Sequence, residues 1–218
     1  MTDDVSSGRY PGYDVLAKRD TPSWNDRTRQ VIDARVAIEP RPEFFQPGEW
    51  QTLEALCDRV MPQPAGRPRV PIAALVDRQM LKGKLKGYRF ADMPQPGEAW
   101  QRALAALEEV AQRDHGRSFA HLTASGQDAI LRRMQEGEFE AEALRGMPAK
   151  TFWTNHVNHD VISSYYSHPQ AWSEMGWGGP ASPRGYVRLD LDARDPWEPH
   201  EAKLGGEAKA ERENKRVI

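Results

Sequence analysis

The chain of 218 residues contains a single cysteine, Cys57. No internal disulfide can form, and no cysteine-based metal site can be assembled. Cys57 lies in an apolar periodic run, where a thiol behaves as a small buried hydrophobe rather than as a nucleophile. No stretch of about 18 apolar residues occurs, which argues against a membrane-spanning helix. Basic and acidic side chains nearly cancel, 30 against 32, so no broad field draws the protein to nucleic acid or anionic lipid. The start, "MTDDVSSGRYPGYDV", lacks the basic and apolar regions of a secretory signal. The twin arginine Arg132-Arg133 is internal and within a helical pattern. Cytoplasmic residence is the expectation, and periplasmic residence by co-export with a partner is the alternative.

Catalytic signatures are missing as well. There is no HExxH, no GxSxG, no phosphate-binding lysine loop and no CxxCH for haem. The nearest glycine-rich turn, "MGWGGP", follows no strand and carries a proline where a phosphate-cradling helix would begin. Glu108/Glu109 and Glu138/Glu140 read as solvated helix surface rather than as acid–base pairs.

What is present is helical periodicity. Only 39% of the chain is hydrophobic and 28% is charged, so the apolar residues must be concentrated on faces. Trp50, Leu53, Leu56, Cys57, Val60 and Met61 share one face of a helix that Pro62 and Pro64 stop. A second helix opens after Pro71, with Ile72, Leu75, Val76 and Met80 inward. "KGKLKGYRFADMPQPG" is a lysine- and glycine-rich loop. A third helix runs from about Glu98, burying Trp100, Leu104, Leu107 and Ala111. A fourth starts at a Ser125 cap and buries Ile130, Leu131 and Met134. The fifth, from about Pro148, carries Phe152, His156, Val157, Val161, Ile162 and Tyr165 and ends before His168-Pro169. These features predict an all-α fold: an irregular bundle of about five short helices. Residues 1–43 read as an extended arm, with Ser23 as cap of a short helix and a strand through Ile32, Ala34, Val36 and Ile38 as the alternative. Residues 44–190 form the helical domain. Residues 191–218 read as a charged, partly disordered tail, because their last 18 positions hold nine charges.

Two constellations remain. His156 and His159 lie three apart, with Asp160 adjacent and His168 beyond the helix, so a small helical metal-binding enzyme is one reading. The bland one has these histidines hydrogen-bonding loop groups. The other constellation is "YYSHPQAWSEMGWGGPASPRGY", Tyr165 to Tyr186, with five aromatics, four glycines and three prolines. It has no apolar period, which predicts a loop rather than a regular helix or strand. Its Trp, Tyr and Arg content is that of protein–protein hot spots. Composition leaves open whether it docks on another chain or caps its own bundle.

Tyr166, Ser167, His168 and Pro169, followed by Trp172, Gly176, Gly179, Pro180, Pro183, Arg184, Gly185 and Tyr186, resemble the signature of the gluconate 2-dehydrogenase subunit 3 family. The helix "LEALCDRVMPQP" resembles that family's opening helix, and the likeness spans roughly residues 44–190. The resemblance implies a non-catalytic small subunit that supports folding, stability and export of a flavoprotein large subunit. That partner would be of the glucose–methanol–choline oxidoreductase type, holding FAD and oxidising a sugar, sugar acid, glycoside or polyol. A cytochrome c subunit would take electrons onward. Many members carry a twin-arginine leader, which this sequence does not show. The expected partner interface is Tyr166, His168, Trp172, Trp177, Arg184 and Tyr186, joined by Tyr13 and Trp24 of an arm that wraps the partner. No cofactor, metal or catalytic residue is expected in this chain.

Overall fold

The computed structural model describes residues 8–65, 67–83, 90–186, 191 and 193–216. Its α-helices, in chain order, are α1 (Asp26–Val36), α2 (Pro47–Val60), α3 (Ile72–Lys82), α4 (Pro96–His115), α5 (Ala124–Glu136), α6 (Ala149–Phe152), α7 (Ile162–Tyr166), α8 (Pro169–Met175) and α9 (Glu207–Asn214). Among the described residues, extended backbone pairs once, in an isolated parallel bridge between Trp24 and Ser182. The all-α expectation holds. Most of the lysine–glycine loop, residues 84–89, lies outside the described residues.

Contacts divide the chain into two compact units, where the sequence suggested three successive segments. Unit 2 comprises Glu39–Arg67 and Pro71–Tyr165. Its helices follow the apolar period closely, because an i, i+3, i+4 stripe has one way to leave water. The Glu49 carboxylate accepts from the Gln46 N–H at 2.9 Å in a capping box, and Pro47 occupies the first turn, where its missing N–H costs nothing. Trp50, Leu53, Leu56 and Cys57 are buried along α2, which packs against α3, α4 and α5. Burial pushes the Cys57 thiol up, so it stays protonated and inert. α4 buries Trp100, Leu104, Leu107 and Ala111 as expected, and Ala99, Ala103 and Ala106 as well. The cap of α5 is Thr123 rather than Ser125: its hydroxyl accepts the Gly126 N–H at 3.3 Å.

The last predicted helix of this unit is continuous from α6 to α7, but its middle, Trp153–Val161, is wound as a π-helix. Asp160 is buried on this segment. It accepts from the Trp100 indole N–H at 3.0 Å and pairs with Nδ1 of His156 at 3.4 Å and of His159 at 3.3 Å. Burial alone would push its carboxyl up; the bonds from His156 and Trp100, with the His156 charge and the His159 bond, hold it below the usual carboxylate range.

Asp77 of α3 has no counterpart in the apolar-stripe reading. It is fully buried, and its two oxygens accept three successive backbone N–H groups, from Glu43 at 2.9 Å, Phe44 at 3.1 Å and Phe45 at 2.9 Å. A carboxylate thus fills a nest of amides in the turn that feeds the chain into α2. The Phe44 ring sits over Gly97 in the first turn of α4, where a Cβ would lie 2.8 Å from it.

Unit 1 comprises Met1–Ile38, Pro68–Val70 and Tyr166–Ile218. Its core cluster is Tyr13, Val15, Trp24, Ile32 and Trp172, with Tyr10 and Leu16 packed against it. α1 forms as expected, but its cap is Asn25, accepting the Thr28 N–H at 2.9 Å. Ser23 is instead buried and bonded to Lys18. The tail differs from the solvated segment expected of it. Trp197, Asp195 and Glu198 are buried, the Tyr13 hydroxyl donates to the Trp197 carbonyl at 2.9 Å, and Asn214 of α9 donates to the Pro11 carbonyl at 2.9 Å. Charge density within the tail hid a few anchoring groups whose partners lie about two hundred residues away in sequence.

A candidate docking surface in the aromatic C-terminal segment

The segment predicted to be a loop contains a short helix. α8 starts at Pro169 because His168 caps it: the imidazole Nδ1 accepts the Gln170 N–H at 3.2 Å. Proline at the first helical position has the right φ and no amide to satisfy. Aperiodic composition concealed the helix because three of its seven residues, Pro169, Trp172 and Ser173, are weaker helix formers and the cap is a histidine. Burial and then the charge of Arg35 push the His168 imidazole down to about 4. A neutral ring is what an acceptor cap requires.

This cap carries a pH prediction. The folded-state value lies below the ordinary 6.5, so the unfolded chain binds the extra proton first as pH falls. The stability His168 contributes is full above about pH 6.5 and is lost as pH drops through about 4. The loss is on the order of 3 kcal/mol. His168→Asn, which keeps an acceptor but does not titrate, should flatten that part of a stability–pH curve measured by chemical denaturation. A variant curve parallel to wild type would remove the role.

Trp172 organises the surroundings. Its indole donates to the Tyr166 carbonyl at 2.6 Å, its ring meets Trp177 edge-on at 4.9 Å, and the Arg35 guanidinium lies over it at 6.0 Å. Arg35 also donates to the Ser167 carbonyl at 2.6 Å. Beyond α8 the chain turns at Gly176 and Gly179, both at φ 70°, a conformation that costs L side chains but not glycine. The Tyr186 hydroxyl donates back to the Gly179 carbonyl. Arg184 pairs with Asp195 at 2.6 Å and stacks over Trp197 at 5.1 Å.

The eight residues expected at a partner interface therefore divide. Tyr13, Trp24, Trp172 and His168 are buried, and each has an internal structural task. Arg184 is surface-lying but ion-paired within the unit. Tyr166, Trp177 and Tyr186 keep 47%, 42% and 39% of their surface in water, and Met175, which composition did not single out, keeps 50%. The arm's aromatic anchors face inward, so in this structure the arm completes its own unit.

The histidine reading has no geometric support. His156 and His159 are each held by Asp160, and His168 caps α8. Among the described residues, no group of three or more His, Cys, Asp or Glu side chains is arranged to hold a metal ion. Likewise, no described helix is long and apolar enough to cross a membrane.

These features define a class: an all-α protein whose helical core precedes an aromatic, glycine-rich segment wrapped about a short histidine-capped helix. The model of the family described as gluconate 2-dehydrogenase subunit 3 matches residues 47–179, which is more than half of the chain. The chain belongs to that family and is an accessory subunit of a dehydrogenase complex. No curated protein and no solved structure matches it.

Proposed function

We propose that this chain is the non-catalytic small subunit of an FAD-dependent dehydrogenase acting on a sugar, sugar acid, glycoside or polyol. In this reading it binds a large subunit of the glucose–methanol–choline type, which holds the FAD and does the redox chemistry. A cytochrome c subunit is the onward electron acceptor, and assembly takes place in the cytoplasm. The observation that carries the reading is the group Tyr166, Met175, Trp177 and Tyr186: four large side chains left 39–50% exposed within one 21-residue stretch. Large side chains of this kind gain most when a partner completes their burial, and binding the folded partner alone stabilises it by mass action.

Trp177→Ala should weaken association with the co-expressed flavoprotein by about 2 kcal/mol, roughly thirtyfold in Kd. Tyr13→Phe, which keeps the ring and removes only an internal hydroxyl, should leave association nearly unchanged. Co-purification of a larger, yellow polypeptide with the tagged chain is the direct test. A pull-down from the source cell with no flavoprotein in it rejects the reading.

A further inference from the structure

The N-terminal arm and the glycine–proline segment run side by side in the same direction and meet in matching order. The Tyr10 ring lies against Gly176, where any Cβ would overlap it. Val15 comes next and meets Gly179, whose missing Cβ would stand 3.2 Å from the valine methyl and 3.1 Å from Trp172. Lys18 and Trp24 then converge on one acceptor: the Pro180 carbonyl takes the lysine ammonium at 3.2 Å and the indole N–H at 2.7 Å. Finally Ser182 donates to the Ser23 carbonyl at 2.9 Å and accepts the Asn25 N–H at 2.9 Å. The arm residues in these contacts all precede residue 47, where the family match begins.

We infer that residues 10–25 are a built-in template, which moulds the 176–186 segment into the one form in which Trp177 and Tyr186 are presented. The inference rests on the docking reading only for the purpose of that presentation; the moulding itself is a property of the chain alone. Lys18 is its keystone. The side chain is fully buried, its amine bonds the Ser23 hydroxyl at 3.0 Å as well as Pro180, and it lies 5.5 Å from the Trp24 ring and 5.8 Å from that of Tyr186. Burial pushes the ammonium down to about 8 against the pull of Glu198 and Asp195. A buried cation is a poor way to add stability and a good way to specify one arrangement of acceptors. Docking then starts from an ordered loop, so the entropy of ordering it is not lost on binding.

The test uses the full chain carrying Lys18→Met and Trp24→Phe together, which removes both donors to Pro180 while keeping an unbranched chain at 18 and an aromatic ring at 24. Hydrogen exchange is followed at Ser182 and Gly185, whose amides donate to Ser23 and Ala181, with the α4 amides of unit 2 as the internal standard. Exchange at 182–185 should accelerate by at least about tenfold while α4 is unchanged, as expected for a local opening. Unchanged protection at 182–185 overturns the inference. So does equal loss in α4, since the arm would then be holding the whole chain. Tyr10→Ala is the milder second variant and should release 176–179 in the same assay; full protection there also counts against a template. Association with the flavoprotein is measured separately. A loosened loop with undiminished association leaves the template standing and removes the docking role from the loop.

Discussion

Asp77→Ala is expected to cost unit 2 about 2–4 kcal/mol, a large share of the roughly 5–15 kcal/mol that holds a domain folded. The carboxylate is fully buried and is an acceptor for three consecutive amides. Alanine leaves those donors without their acceptor. The Phe45 bond is fully buried and those of Glu43 and Phe44 are part-buried, and an unsatisfied buried donor costs about 1–3 kcal/mol. The turn Glu43–Phe45 would then have to open, taking with it the Phe44 ring that covers Gly97. Asp77→Asn retains one acceptor oxygen but turns an amide N–H₂ towards the same donors, so it should recover only part of the loss. Urea denaturation of both variants reads the effect directly. A drop smaller than about 1 kcal/mol for alanine would mean that the turn finds other acceptors.

Gly176→Ala is the second large effect, and it falls on unit 1. Two penalties coincide there. The backbone sits at φ 70°, which costs an L residue about 1–2 kcal/mol, and the new methyl group would overlap the Tyr10 ring. Overpacking of this kind adds about 1–3 kcal/mol. The total expected loss is about 3 kcal/mol, with the Trp177 surface displaced and association reduced. A double-mutant cycle separates the two causes. Adding Tyr10→Ala removes the overlap and leaves the conformational penalty, so the double variant should be less destabilised than the sum of the singles. Strict additivity would show that the ring yields freely.

The helices of unit 2 were legible because their determinants are local. Trp50, Leu53, Leu56 and Cys57 along α2, or Ile130, Leu131 and Met134 along α5, declare a face by spacing alone, and Pro62 and Pro64 declare its end. Caps were less legible: Thr123 and Ser125, or Ser23 and Asn25, are chemically equivalent candidates, and only the path of the entering chain selects between them. α8 was hidden by its proline, tryptophan and histidine cap. Asp77 was unreadable, since nothing adjacent to it announces that the amides of residues 43–45 come to its carboxylate.

The candidate surface divides in the same way. Its composition, rich in Trp, Tyr, Gly and Pro, was plain, and so was the family likeness. Which rings stay exposed was not, because nothing in the residues flanking Trp172 or Trp177 says which remote segment arrives to cover either ring. Trp172 is claimed by Tyr13, Val15, Trp24 and Ile32, all far away in the chain. The inward role of Tyr13 and Trp24 likewise depends on partners roughly 150 or more residues distant.

By itself, then, the amino-acid order determined an all-helical core, its apolar faces and the family, since each is written in residues near one another. Tertiary structure decided which aromatics are internal and which meet solvent, and why glycine must stand at 176 and 179. The physical reason is that burial is a property of pairs: a ring is hidden only when some remote segment arrives to cover it, and no local spacing encodes that arrival.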